Sequence, residues 1–159
     1  MNPEGLAEAL GQRLLARGWR LVTAESCTGG WLAAVITEIP GSSQWYERGF
    51  ITYSNASKQE LLGVAQQTLD AHGAVSEETA LAMAQGALCR SWAQCSVAIT
   101  GIAGPDGGSE DKPVGTVWLA WATLQRPADA LGHRFNGDRR AVRGQAVDRA
   151  LRGLLERLS

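Results

Sequence analysis

The chain has 159 residues, with 15 basic and 16 acidic side chains and a formal charge of −1. A domain of this length buries roughly two-thirds of the surface its unfolded chain exposes, so its core needs no disulfide or metal staple. Balanced charge and a pI of about 6.1 exclude the electrostatic footprint of a nucleic-acid binder and the polybasic patch of a membrane-surface protein, so neither partner is expected.

The first predicted element is a helix, with Asn2 as N-cap, Pro3 at the first helical position, and Leu6, Leu10 and Leu14 recurring until Gly18. Trp19 to Thr23 reads as a short strand. Ala24 to Gly30 is a strand-to-helix turn, and a second helix runs from Thr28 until Pro40-Gly41 stops it. Gly49 to Ser54 reads as a strand, and Asn55 caps a helix that carries Lys58, Leu61 and Leu62 and closes at Gly63. Ser76 caps the next helix, with Glu77 and Glu78 in its first turn to suit the dipole, and that helix is expected to reach about Trp92. Cys95 to Thr100 is an apolar strand, followed by a loop from Gly101 to Pro113 and a clear strand from Gly115 to Thr123. After a turn at Arg126-Pro127, Leu131 to Phe135 is a weaker strand. The last helix starts near Asp138 and places Val142, Ala146, Ala150, Leu154 and Leu158 on one stripe. Alternating helices and strands, ending in two consecutive strands, predict an α/β fold over 1–159: one domain, a three-layer α/β/α sandwich with a mixed sheet.

Three cysteines, Cys27, Cys89 and Cys95, and two histidines, His72 and His133, form no zinc-binding spacing. Met1-Asn2-Pro3-Glu4 carries no basic region ahead of an apolar core, and no apolar run nears the roughly 18 residues of a membrane span, so a cytoplasmic location is expected. Lysine is scarce: Lys58 and Lys112 stand against thirteen arginines, a bias that composition alone explains. Lys58 nevertheless lies at a strand end among hydroxyls, in Tyr53-Ser54-Asn55-Ala56-Ser57-Lys58. A serine is a weak nucleophile until a base takes its proton, and a lysine is that base only when its pKa is lowered by desolvation or nearby cations. Arginine never deprotonates and cannot substitute. A solvated helix lysine is the plain alternative.

The Gly101 to Pro113 loop, with four glycines, is long for a compact domain, and long loops are usually functional or disordered. It matches neither standard nucleotide fingerprint. Thr28-Gly29-Gly30 opens a helix after a strand, where backbone amides collect an anion such as phosphate, although close helix–strand packing selects glycine there too. Arg139 and Arg143 share one helix face at i, i+4 and either clamp a phosphate or form a solvated basic face. A Cys27–His nucleophile pair is a competing idea, with no motif around either histidine.

Several stretches occur together: Thr23-Ala24-Glu25-Ser26-Cys27-Thr28-Gly29-Gly30, Gly41-Ser42-Ser43, Arg48 to Asn55 with Lys58, Gly73-Ala74-Val75-Ser76, Thr100-Gly101-Ile102-Ala103-Gly104-Pro105, Lys112 to Val117, and Gly137-Asp138-Arg139. In this combination they resemble the CinA C-terminal family of nicotinamide-nucleotide amidohydrolases, from about Gly5 to Leu158, and look like its stand-alone form. The resemblance implies hydrolysis of the carboxamide of nicotinamide mononucleotide (NMN) to nicotinate mononucleotide and ammonia, in pyridine nucleotide salvage. It also implies a Ser–Lys dyad, no metal, no cofactor, and a homo-oligomer, dimer or higher. Carried over by position, Lys58 matches the general base, Ser43 and Ser26 the two active-site serines, Thr100 the hydroxyl before the glycine loop, and Arg139 a substrate-binding arginine. Ser43 is the preferred nucleophile, because it belongs to the loop ahead of the strand that leads to Lys58. Thr28, Gly29, Gly30, Asn55, Gly101, Gly104 and Arg143 are expected around the substrate. Tyr53 is expected on the pyridinium ring, and Arg139 with the Thr28 helix terminus on the 5′-phosphate. A nucleotide- or partner-binding module that has lost its chemistry is the alternative, and the intact Lys58, Ser43, Ser26 and Thr100 argue against it.

Overall fold

The computed structural model describes residues 1–159. Its strands are β1 (Leu21–Glu25), β2 (Tyr46–Ile51), β3 (Cys95–Gly101), β4 (Thr116–Thr123) and β5 (Arg126–Arg134). They form one sheet in the order β2-β1-β3-β4-β5. β1 runs parallel to β2 and β3, whereas β4 is antiparallel to β3 and β5. Six helices cover it: α1 (Pro3–Arg17), α2 (Trp31–Thr37), α3 (Asn55–Leu62), α4 (Gln66–His72), α5 (Glu77–Cys89) and α6 (Arg139–Arg157). The architecture is the expected α/β/α sandwich with a mixed sheet.

The strand period of two divides the core into two unequal halves. Leu21, Val97, Ile99, Leu119 and Trp121 face α1, α2 and α6, and meet Leu6, Leu10, Ile36, Val142 and Leu154. Ala24, Ala98, Ala120 and Ala122 face the other way, against Ala80, Met83, Ala84 and Ala87 of α5. Small residues on both sides bring α5 close enough for the Ser96 hydroxyl to donate to the Ala84 carbonyl at 2.8 Å. Gly86 serves the same approach at the end of α3. A Cβ there would lie 2.0 Å from the Leu62 carbonyl oxygen, so glycine lets α5 seat against the helix that carries Lys58.

Several boundaries differ from the sequence reading. α2 begins at Trp31 because Gly29 and Gly30 take positive φ and form the turn. Ser54, not Asn55, caps α3: the Ser54 hydroxyl accepts from the Ser57 N–H, while the Ser57 hydroxyl accepts from the Ser54 N–H. β2 starts earlier, at Tyr46, and α5 stops at Cys89. The short α4 has no side-chain cap and carried no start signal. β5 starts at Arg126 and includes Pro127, tolerated because β5 is an edge strand pairing only with β4.

Candidate active site

β1 ends at Glu25, and the chain then turns through Ser26 to Gly30 into α2. The Glu25 carboxylate is buried at the start of that helix. It accepts from the Thr28 hydroxyl at 2.6 Å and from the Leu32 and Ala33 amides at 2.9 and 3.1 Å. Gly30 has no side chain to cap α2, so Glu25 supplies the acceptor, at the helix end where negative charge is favoured. From the other side, Arg143 of α6 donates to the Cys27 and Thr28 carbonyls at 3.0 and 3.1 Å and lies over the Trp31 ring. The turn that presents Ser26 is thus held by one anion and one cation.

Lys58 is the group that Ser26 meets. It is 1% exposed, and its Nζ lies 3.0 Å from Ser26 Oγ, 2.8 Å from the Thr52 carbonyl oxygen and 3.5 Å from that of Tyr53. Burial pushes its pKa below the ordinary lysine value. Lys58 occupies the first turn of α3, its N–H donating to the Ser54 carbonyl at 3.1 Å. Its side chain leans toward the positive end of that helix, which also disfavours an ammonium. A neutral amine has two hydrogens for the two carbonyls and a lone pair for the serine proton. An ammonium donates to the same three oxygens. The proton can therefore move between Oγ and Nζ without leaving any of these groups unpaired.

A cleft of about 280 Å³ opens over this pair. One wall is the loop after β3, with Ile102, Ala103, Gly104 and Asp106. The other includes Ala74 and Val75, and Tyr53, Asn55 and Arg139 complete it. The Thr100 hydroxyl, also lining the cleft, donates to the Ala74 carbonyl at 2.8 Å. Arg139 donates to the Gly104 carbonyl at 2.9 Å and to the Tyr53 hydroxyl at 3.0 Å, bridging loop and rim. Gly101 is required where the walls meet: a Cβ would lie 2.7 Å from Val117 Cγ2 and 3.2 Å from the Cys27 sulfur.

Ser26, Lys58, Thr100, Tyr53, Asn55, Gly101, Gly104 and Arg139 are thus brought together, and five expected residues are not. Ser43 is exposed in a short turn ahead of β2. Because Tyr46 pairs with Leu21 and Ile51 with Glu25, Ser43 sits at the opposite end of the sheet, a six-residue strand of about 20 Å away. Within the chain, the expected Ser43–Lys58 pairing is replaced by Ser26–Lys58. Thr28, Gly29 and Gly30 lie outside the cleft. The α2 amides expected to hold a phosphate are taken by Glu25, and Arg143 is occupied with the turn carbonyls. The Cys27–His idea also fails, since burial pushes the Cys27 thiol up to about 11 against the opposing pull of Arg143. His72 pairs with Glu78 at 3.5 Å, and His133 stacks on Phe135.

The sequence reading missed Glu25, Asp106, Ala74 and Val75. Glu25 had a usable signal: a lone acid ending the run Leu-Val-Thr-Ala just before a helix with no capping side chain. Ala74 and Val75 carry no chemical signal at all. No three His, Cys, Asp or Glu side chains converge to hold a metal ion, and no helix is long and apolar enough to cross a membrane.

The model of the CinA C-terminal domain matches residues 3–158. The chain belongs to the CinA C-terminal domain family. Among members of that family, the nicotinamide-nucleotide amidohydrolase PncC of Escherichia coli strain K12 is 57% identical over 149 residues, covering 94% of this chain and 90% of that protein. The Pseudomonas putida protein of the same name is 52% identical over 151 residues, covering 95% and 94%. The crystal structure of the competence/damage inducible protein CihA from Agrobacterium tumefaciens superposes with a TM-score of 0.96 at 45% identity, covering 98% of this chain and 95% of that one. The CinA fold of this chain is therefore shared over nearly its full length.

Proposed function

We propose that this CinA domain hydrolyses the carboxamide of NMN to nicotinate mononucleotide and ammonia, with Ser26 as nucleophile and Lys58 as general base. The observation that carries the reading is the 3.0 Å contact between a buried amine and a serine at the end of β1. No carboxylate pairs with that amine in any ion pair of the chain. The amidohydrolases from E. coli and P. putida supply the substrate class.

Ser26 Oγ attacks the carboxamide carbon while Lys58 Nζ takes its proton. The carbonyl π electrons move to oxygen and form an oxyanion. The Cys27 N–H, which follows the nucleophile at a strand–turn–helix junction and has no backbone partner, would serve as an oxyanion donor, a role worth about 3–4 kcal/mol. As the oxyanion collapses, the C–N bond breaks and the Lys58 proton leaves with the nitrogen as ammonia. A water then attacks the ester carbon, giving its proton to Lys58. Ser26 departs and recovers that proton, releasing the carboxylic acid. Arginine in place of Lys58 cannot perform either transfer.

The cleft suits the rest of the substrate. Tyr53 offers a ring face and Asp106 an exposed carboxylate to the pyridinium cation, and Arg139 offers a guanidinium to the 5′-phosphate. Turnover of this substrate places the enzyme in pyridine nucleotide salvage. An ammonia assay run beside a calorimetric titration with NMN tests the proposal: binding with ammonia release supports it, whereas binding without release favours a module that has lost its chemistry.

A further inference from the structure

Lys112, the second of the two lysines, plays no part in this chemistry, yet its contact is specific. The glycine-rich loop is closed at its base by two bonds, Ile102 N–H to the Thr116 carbonyl at 2.9 Å and Gly115 N–H to the Ile102 carbonyl at 2.8 Å. At its tip, Ser109 and Lys112 bond each other twice, at 2.8 and 3.1 Å. Between Ala103 and Lys112, two hydrogen bonds tie the loop to the rest of the protein. Arg139 donates to the Gly104 carbonyl, and Lys112 Nζ donates to the His72 carbonyl at 2.5 Å.

His72 is the last residue of α4, where carbonyls lack intrahelical partners and a cation is favoured. Directly after it comes the opposite wall of the cleft. That wall is firm: the Gly73 carbonyl accepts from the Ser76 and Thr79 hydroxyls, and the Ala74 carbonyl from Thr100. The loop has fewer such ties: Gly104, Gly107 and Gly108 take positive φ, and its hold on the rest of the protein between Ala103 and Lys112 is the Arg139 and Lys112 contacts. Gly73, the residue after His72, leaves room for the lysine contact: a Cβ there would stand 3.3 Å from Lys112 Nζ.

We propose that Lys112 is a positioning residue that clamps the tip of the glycine-rich loop to the α4 end of the facing wall, and thereby sets affinity for the nucleotide. The inference rests on the proposed substrate. Its loop residues Gly104 and Asp106 line the cleft, Gly104 bonded to Arg139, and neither touches the proton that moves between Ser26 and Lys58, so loosening them should weaken binding of substrate and transition state alike. That pattern raises KM and leaves kcat unchanged.

The test is Lys112→Met beside Lys112→Arg, assayed for ammonia release from NMN and for cleavage of the free protein after Glu110 by a glutamate-specific protease. We expect Lys112→Met to raise KM about five-fold with kcat within about two-fold, to speed cleavage by a similar factor, and Lys112→Arg to fall between it and the parent. Unchanged KM overturns the proposal, whether or not cleavage accelerates, and so does a loss confined to kcat. Should Lys112→Met not fold, Lys112→Gln takes its place. If the parent protein neither binds nor turns over NMN, the substrate reading falls. The protease arm alone then decides the clamp: faster cleavage sustains it, and parental cleavage overturns it.

Discussion

The two ends of the parallel part of the sheet carry similar residues and opposite prospects. At the carboxyl ends of β1 and β3 lie Ser26, Thr100 and Gly101, with Lys58 of α3, the helix after β2, against Ser26. At the amino end of β2 lies Ser43, also next to a glycine turn, also a few residues from a strand, and exposed. Strand polarity separates them. In open α/β sheets the connections leaving carboxyl ends diverge and form the ligand crevice, whereas the Gly41 turn lies before β2 and opens onto solvent. A serine becomes a candidate nucleophile by where its strand points, more than by which motif surrounds it.

The largest expected effect removes the proton acceptor from the competent end. Lys58→Arg keeps the charge and should lower kcat by at least about 10³-fold, with the circular dichroism spectrum of the parent; substantial ammonia release would end the role of Lys58 as base. The pH dependence has a defined sign. Lys58 accepts a proton only when neutral, so kcat/KM rises with pH through its titration. Burial brings that rise below the ordinary lysine range, and a rise centred near the ordinary value would contradict the desolvated site.

Next in size is the support of the turn. Glu25→Ala strips an acceptor from three donors and is expected to cost about 2–4 kcal/mol of stability in urea unfolding. No cost would mean that water caps α2 equally well. Smaller still is Arg143→Met, which releases the Cys27 and Thr28 carbonyls. It should lower kcat about ten-fold through looser placement of Ser26, while KM stays near that of the parent. A rise in KM alone would return Arg143 to the substrate-binding role its position on α6 first suggested.

The same comparison shows what the sequence made legible. Strand and helix alternation predicted the sandwich, because the buried runs of β3 and β4 and the one-sided stripe of α6 are strong and local. Lys58 and Arg139 drew notice from their own surroundings in the sequence, whereas Ser26 and Thr100 entered as what the family resemblance implies, carried over by position. Ser43 lies far from Lys58 within the chain, and distance along the chain to Lys58 says nothing about which end of a parallel strand a residue occupies. The Thr28-Gly29-Gly30 turn was misread for a different reason: its amides are satisfied by Glu25, a residue of the preceding strand, and only the folded turn brings the two together. Short α4 was hidden because its ends lack side-chain caps.

The account turns on Ser26 as the atom that attacks. The most direct measurement is rapid quenching of the protein with NMN, followed by intact mass and peptide mapping for a covalent acyl adduct. We expect a mass increase of NMN less ammonia, on the peptide containing Ser26, absent in Ser26→Ala and present in Ser43→Ala. An adduct on Ser43, or one that survives Ser26→Ala, would contradict the account.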